Sequence, residues 1–402
     1  MWSEEELGAI VCQLSPLELE PARGLARLAP RPAAQQQADY QDEFDASTVL
    51  YDAFRSFDGD WVVLLGPPLC NLEPAVVPAL LSAFGGKSSA MAGLRRRLGI
   101  PGGTQVLSAD RHTQLWIKSE CDQVELPAGL FKQQLLQVRS NSHALFQGKN
   151  VIVTMSRNNE LAWIGDWVRF HVETHGCNAV LLYDNASTNC RGAEIKDQIV
   201  SVRGIDAALV VDWPFKLGPG GGPHWVWDSD FGQYGMLEHA RHRYLPTASA
   251  VLNVDIDELV LTTAGSSIFD LARRSDVGYV RFAGRWVENA TSLMLNPPAR
   301  RHKHYFYYRD GPTALPKWAV VPARCPPHAQ WRVHDIAAMQ PDVVASAAAT
   351  LRHFKAINTN WKDERWKPEA LDPAHHRIDE ALVAALRIFE DGPTGARRGQ
   401  IT

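Results

Sequence analysis

Ala250-Val251-Leu252-Asn253-Val254-Asp255-Ile256-Asp257-Glu258 is the stretch that decides how this chain is read. Its first five residues form a short run that is apolar except for Asn253, the composition of a strand buried in a sheet. Acidic residues follow at once. Alternation along an extended chain places Asp255 and Asp257 on the same side. Two carboxylates converging at a strand end repel each other unless a cation sits between them. Hard oxygen donors suit Mg²⁺ or Mn²⁺, and such an ion can bridge diphosphate oxygens and neutralise charge on a leaving nucleotide. Acidic triplets are also common as solvated turns; the position of this one directly after an apolar strand favours the metal reading.

Working outward, the same alternation of short apolar runs and helical spacing continues. Val151-Ile152-Val153-Thr154-Met155 reads as a buried strand, and Leu161, Ile164, Val168 and Val172 then recur at helical spacing up to a stop at Gly176. Ala179-Val180-Leu181-Leu182-Tyr183 and Ala207-Ala208-Leu209-Val210-Val211 read as two more strands. After the loop Gly218-Pro219-Gly220-Gly221-Gly222-Pro223, an amphipathic helix is expected to carry Phe231, Tyr234, Leu237, Ala240 and Tyr244. Strands alternating with helices predict an α/β fold, a mostly parallel Rossmann-like sheet with helices on both faces. In such sheets ligands bind outside the carboxyl ends of the strands.

Two further polar clusters fall at those ends. Arg157-Asn158-Asn159-Glu160 closes the first strand and opens a helix, so backbone N–H groups and Arg157 face one crevice; ordinary capping accounts for part of this cluster. Asp184-Asn185-Ala186-Ser187-Thr188 closes the second strand, where a carboxylate and an amide can hold a base or a ribose. An Asx-type turn explains the same residues. Three polar clusters at three strand ends are harder to dismiss than any one of them.

Composition bounds the rest. The chain has 402 residues, with 45% hydrophobic and 21% charged, enough for a substantial core. A formal net charge of -4 gives no footprint for nucleic acid or an anionic membrane. No run of about 18 apolar residues suggests a transmembrane helix, and the acidic start Met1-Trp2-Ser3-Glu4-Glu5-Glu6 is unlike a secretory signal. The expectation is a cytoplasmic protein, with peripheral membrane contact still compatible. Six scattered cysteines without a CxxC pair read as reduced thiols, and the triplet Asn289-Ala290-Thr291 as a chance sequon. The expected layout is an N-terminal extension or linker over 1–46, a mixed or β-rich accessory region over 47–147, a catalytic domain over 148–366, and a C-terminal helix near 378–389 with a tail within 367–402.

The clusters in their order, together with Trp167-Val168-Arg169-Phe170-His171 and Asp255-Ile256-Asp257-Glu258-Leu259, resemble the GT-A-fold glycosyltransferases of the family-2-like and family-92 kind. Those proteins show Lys-Asn-Glu, Glu-Trp-x-x-x-His, Tyr-Asp-Asn-x-Ser-Thr and Asp-x-Asp-Glu-Phe in this order. The resemblance covers residues 148–366. Here an extra Asn leaves Asn158 and Asn159 as alternatives for one family position, and Leu259 replaces Phe. The resemblance implies a nucleotide-sugar donor, a saccharide or glycoconjugate acceptor as in surface polysaccharide synthesis, and a divalent metal ion, Mn or Mg. It places Arg157, Asn158, Glu160, Asp184, Asn185, Asp255 and Lys355 toward the nucleotide sugar, with Lys362 near phosphate. It puts the metal on Asp255 and Asp257 and on a late histidine, either His353 in Leu351-Arg352-His353-Phe354-Lys355 or His334 after the stretch Lys317-Trp318-Ala319-Val320-Val321-Pro322.

An inverting transfer needs a carboxylate to take the acceptor proton. Glu288, after a strand at 278–282, and Asp335 are the candidates; a retaining transfer requires neither. Trp213, Trp225, Trp227, Trp286 and Trp318 offer flat partners for sugar rings, although most of thirteen tryptophans belong in a core. The run Arg300-Arg301-His302-Lys303-His304 reads as a solvated basic surface. The rival readings are a sugar-phosphate nucleotidyltransferase, which would want a glycine-rich cationic loop after the first strand, and a non-catalytic carbohydrate-binding protein.

Overall fold

A computed structural model describes residues 11–85, 104–222, 228–263, 265–293, 295, 299–311, 313–359 and 367–390. Nine strands build its main sheet: β1 (Val11–Cys12), β2 (Asn150–Ser156), β3 (Ala179–Asp184), β4 (Ala207–Asp212), β5 (Ala250–Asn253), β6 (Glu258–Thr262), β7 (Tyr279–Val287), β8 (Ala314–Val320) and β9 (Ala349–Phe354). Their spatial order is β1-β4-β3-β2-β5-β8-β7-β9-β6. The pairings from β1 to β5 are all parallel. Beyond β5 the sheet is mixed, with β5/β8, β8/β7 and β9/β6 antiparallel and β7/β9 parallel. The expectation of a mostly parallel sheet thus describes one half of it. In that half β2, β3 and β4 are each followed by a helix that returns the chain to the same end: α1 (Leu161–His175), α2 (Gly192–Val200) and α3 (Phe231–His239). The link from β7 to β8 has no such helix among its described residues, and β8 runs back antiparallel.

The apolar runs become strands because both faces of the sheet are covered. Ile152, Val180 and Leu182 point into one core with Trp163, Trp167 and Phe170 of α1, Ile195 and Ile199 of α2, and Phe269 of α4 (Ile268–Arg274). Val151, Val153, Met155, Leu181 and Tyr183 point into the other, with Tyr234, Met236 and Leu237 of α3. Helix α1 ends where expected. Gly176 adopts the left-handed φ of 68° and its N–H returns to the last turn.

The accessory region is β-rich, as its sequence suggests. Asp52–Arg55, Val62–Gly66, His112–Ile117 and Thr104–Ala109 form an antiparallel sheet in that spatial order, with its own apolar core and the helix Glu73–Ala83. It lies against α3. A Cβ on Gly235 would fall 2.3 Å from the Tyr51 ring, so the helix backbone packs directly on that ring. All nine residues of α3 are buried. The amphipathic expectation for this helix fails because its polar face is covered as well, by ion pairs rather than by water. The chain then widens into a π-helical turn over Ala240–Tyr244.

The extension is not a loose linker either. β1 adds an edge strand to the main sheet beside β4, and Arg27 and Arg31, within the expected linker, are each 2% exposed. At the other terminus the expected helix is shorter, Glu380–Leu386. Asp379 caps it through the Leu382 N–H at 3.1 Å, and Arg377–Ile378 forms a strand instead. All six cysteines are free thiols. No helix among the described residues is long and apolar enough to cross a membrane.

Candidate functional site

The order β4-β3-β2-β5 reverses direction between β2 and β5: the chain moves one way from β2 through β3 to β4 and then crosses to the opposite side for β5. The crevice outside the strand ends at such a switch point is where α/β sheets bind ligands. A cavity of about 290 Å³ opens there, with Met155 and Asn159 from the β2 end, Gln233 from α3, and Asp255, Asp257 and Glu258 after β5. Trp286 of β7, His334, His353 of β9, Asn358 and Thr359 complete the polar and aromatic part of its wall.

The acidic residues reach this cavity by a turn, not by strand alternation. β5 stops at Asn253, whose side-chain amide donates to the Val333 carbonyl at 3.0 Å. The Glu258 N–H then closes back on the Asp255 carbonyl at 3.0 Å, and the Asp255 N–H donates to the Glu258 carboxylate at 2.7 Å. This reciprocal pair presents both Asp255 and Asp257 to the cavity while burying Glu258 at the start of β6.

Lys317 of β8 lies beneath the turn. Its Nζ donates to Asp255 Oδ2 at 2.7 Å and lies 3.4 Å from Glu258 Oε2, with its side chain 1% exposed. Burial opposes a charge on Lys317, but Asp255 and Glu258 outweigh it and raise the lysine pKa. Burial also raises the pKa of Glu258, against the pull of Lys317. On the far side His353 pairs with Asp257 at 3.0 Å and lies 3.4 Å from Glu258 Oε1. β9 sets this contact, since Glu258 and His353 are register partners across β6/β9. Trp286 is the partner of His353 across β7/β9 and stacks on its ring at 4.2 Å.

At the β2 end, Asn158 and Asn159 divide their work. Asn158 has φ 57°, receives the Thr188 N–H at 2.7 Å, and donates its own N–H to Ser187 at 2.8 Å. It binds the two strand-end loops together. Asn159 faces the cavity, its amide held by Ser156 at 3.0 Å. Asn185 is also occupied, donating to the carbonyls of Trp213 at 2.7 Å and Phe215 at 2.8 Å. Asp184 is buried beside it, accepts from the Ser187 N–H, and has its pKa raised by burial. Arg157 is exposed and Glu160 half-buried. None of these four lines the cavity.

The later residues also separate. His334 and His353 both line the cavity, and His334 is anchored through Nδ1 to the Pro316 carbonyl at 3.0 Å. Glu288 is buried and paired with Lys355 at 2.5 Å. Asp335 closes a hairpin with Arg332, its carbonyl accepting the Arg332 N–H at 2.9 Å. Glu288, Lys355 and Asp335 stand outside the cavity wall.

Of the tryptophans, Trp213 and Trp318 are core residues with no exposure, and Trp286 lines the cavity. Trp225, Trp227 and Lys362 lie outside the described residues. The run at 300–304 is not a solvated surface. Arg300 and His302 are buried, Arg301 pairs with Asp166 of α1, and His302 Nε2 contacts the Ile256 carbonyl at 2.9 Å, supporting the acidic turn from behind. Sequence reasoning gave no role to Gln233 or to the buried charge of Lys317. Gln233 comes from a segment that reads as a helix and Lys317 from the stretch quoted only as a marker for His334, and only the fold brings them to the turn.

Among the described residues, no three His, Cys, Asp or Glu side chains are grouped closely enough to hold a metal ion as they stand. The donor chemistry nevertheless fits a divalent cation, because the carboxylates of Asp255 and Asp257, with Glu258 beside them, and the imidazoles of His334 and His353 face one cavity.

No protein-family model matches this chain, and no curated protein matches it. Among solved structures, the mannosyltransferase Ktr4p from S. cerevisiae is similar at 15% identity and a TM-score of 0.23, over 37% of this chain and 41% of that one. The galactosyltransferase LgtC, solved with donor and acceptor sugar analogues, is similar at 15% identity and a TM-score of 0.25, over 44% of this chain and 58% of that one. The chain thus spans about half the length of these similar structures. Both are glycosyltransferases, but likeness at this level carries no argument about chemistry here.

Proposed function

We propose that this protein is a glycosyltransferase that moves a sugar from a nucleotide-sugar donor to a saccharide or glycoconjugate acceptor, with a divalent metal ion, Mn or Mg, at the acidic turn. The observation that carries the reading is the cavity at the β2/β5 switch point, with Asp255, Asp257 and His353 on its wall. Asp255, Asp257 and His353 would hold the cation, with His334 as the other imidazole within the same cavity. Such an ion supplies positive charge to the diphosphate that departs from the sugar. The chain does the rest by placement. Trp286 offers a flat apolar face to a sugar ring, and the amides of Asn159 and Gln233 offer directional hydrogen bonds from two sides.

Lys317 fixes the orientation of Asp255 by occupying Oδ2. Asp184, at the neighbouring strand end, remains the candidate for the nucleoside. Glu288 and Asp335 stand outside the cavity wall, so the proposal assigns the acceptor proton to neither; a retaining transfer does not call for such a base.

A thermal-shift panel of nucleotide sugars with Mn²⁺ tests the reading. A ligand bound by the folded state alone raises the melting temperature as its concentration passes Kd. The proposal expects a Mn²⁺-dependent rise with at least one nucleotide sugar, abolished in Asp257→Asn. No rise with any of them would overturn it.

A further inference from the structure

Several polar contacts of the accessory region fall on one short segment, Asp230–Arg243, and Gln233 of that segment lines the cavity. Arg111 stands in the hairpin turn between the strands Thr104–Ala109 and His112–Ile117. Its Nη1 donates to Asp230 Oδ2 at 2.8 Å, and its guanidinium lies 4.5 Å from the centre of the Tyr234 ring. Asp230 caps α3, and its carbonyl accepts the N–H groups of Gln233 and Tyr234 at 3.1 and 3.0 Å. The two residues that Arg111 grips therefore bracket Gln233. Arg111 and Asp230 both have φ 61°, in the left-handed region that non-glycine residues seldom adopt, so each backbone is held off its ordinary conformation where the pair forms.

The same pattern continues along the segment. Asp52 pairs with His239 at 2.9 Å and with Arg243 at 2.6 Å, all three side chains buried. Buried Arg31 of the extension takes both oxygens of Asp228, at 2.8 and 3.0 Å.

We infer that the accessory region is a positioning element of the cavity, and that Arg111 is the positioning residue that sets Gln233 by fixing the first turn of α3. This goes beyond the proposed transfer in giving residues 47–147 a task. It rests on that reading only for what the cavity binds. A region that merely stabilised the fold would have no need to hold the residues on either side of a cavity-lining glutamine.

The test uses the full chain as wild type, Arg111→Leu, Arg111→Lys, Gln233→Ala and the Arg111→Leu/Gln233→Ala double variant. Hydrogen exchange is followed over residues 228–239, and binding of UDP-glucose, UDP-galactose and GDP-mannose is measured with Mn²⁺. Arg111→Leu is expected to speed exchange at the start of α3 and to weaken binding by about threefold to tenfold, the worth of one hydrogen bond. Gln233→Ala should lose the same amount with exchange unchanged. The double variant should be no weaker than either single one, because both remove one interaction, and Arg111→Lys should recover part of the protection.

Unchanged exchange in Arg111→Leu would overturn the inference, as would fully additive losses in the double variant. If the wild type binds none of the three, the transfer reading fails there, and the exchange comparison alone decides the role of Arg111.

Discussion

Lys317 Nζ sits 2.7 Å from Asp255 Oδ2, in a position where the lysine side chain is almost wholly out of solvent. With Glu258 it forms a buried cluster beneath the acidic turn. Removing one member of such a cluster strands the others without compensation, at a cost of about 3–5 kcal/mol. Lys317→Met is therefore expected to lower stability by about that amount in denaturant unfolding. Lys317→Met with Glu258→Gln should recover part of the loss, since no buried carboxylate is then left unpaired at position 258. A Lys317→Met variant as stable as the wild type would contradict this.

Asp257 and His353 meet at 3.0 Å on the other side of the turn. If they share a cation, His353→Ala and Asp257→Asn should each weaken Mn²⁺ binding by at least about tenfold, the scale on which even supporting partners of a metal site matter. Paramagnetic resonance of free Mn²⁺ measures this directly. Glu288→Gln, outside the cavity wall, should leave it unchanged.

Gly235 leaves no room between α3 and Tyr51. Gly235→Ala drives a methyl group into the ring and is expected to cost about 1–3 kcal/mol by overpacking. Tyr51→Leu in the same chain should relieve part of that strain. The two changes measured together by thermal unfolding should thus be less than additive.

His171 and His175 lie on one face of α1 with ring centres 5.9 Å apart. Burial drives their pKa values down to about 3 and about 4. The unfolded chain binds protons on both below pH 6.5, while the folded chain does not until much lower pH. Stability is therefore unaffected by this pair above pH 6.5 and falls as pH drops from there toward 4, by up to about 1.4 kcal/mol per pH unit for each histidine. Unfolding free energies across that range should show the decline, and His171→Leu should be less steep.

Much of the parallel half could be read from the sequence, because strands buried on both faces leave continuous apolar runs and Gly176 marks the end of α1. The turn at 255–258 was visible as chemistry but not as shape. Alternation was the wrong reason for Asp255 and Asp257 to share a cavity, since the strand ends at Asn253 and a hydrogen-bonded turn takes over. The burial of α3 was not legible. Its Glu238 and His239 lie against His112 and Asp52, and its cap Asp230 pairs with Arg111, each more than a hundred positions earlier, and no local pattern encodes such partners. The antiparallel half was equally hidden, because short strands such as β6 and β9 take their register from each other rather than from periodicity.

Products released from a nucleotide sugar give the most direct test of the central claim. Wild-type protein, Asp255→Asn and Asp257→Asn would be incubated with a panel of nucleotide sugars, with and without Mn²⁺, and the released phosphates identified. The account predicts nucleoside diphosphate from the wild type, dependent on Mn²⁺ and lost in both variants. Pyrophosphate in its place, or no metal-dependent release from any donor, would contradict it.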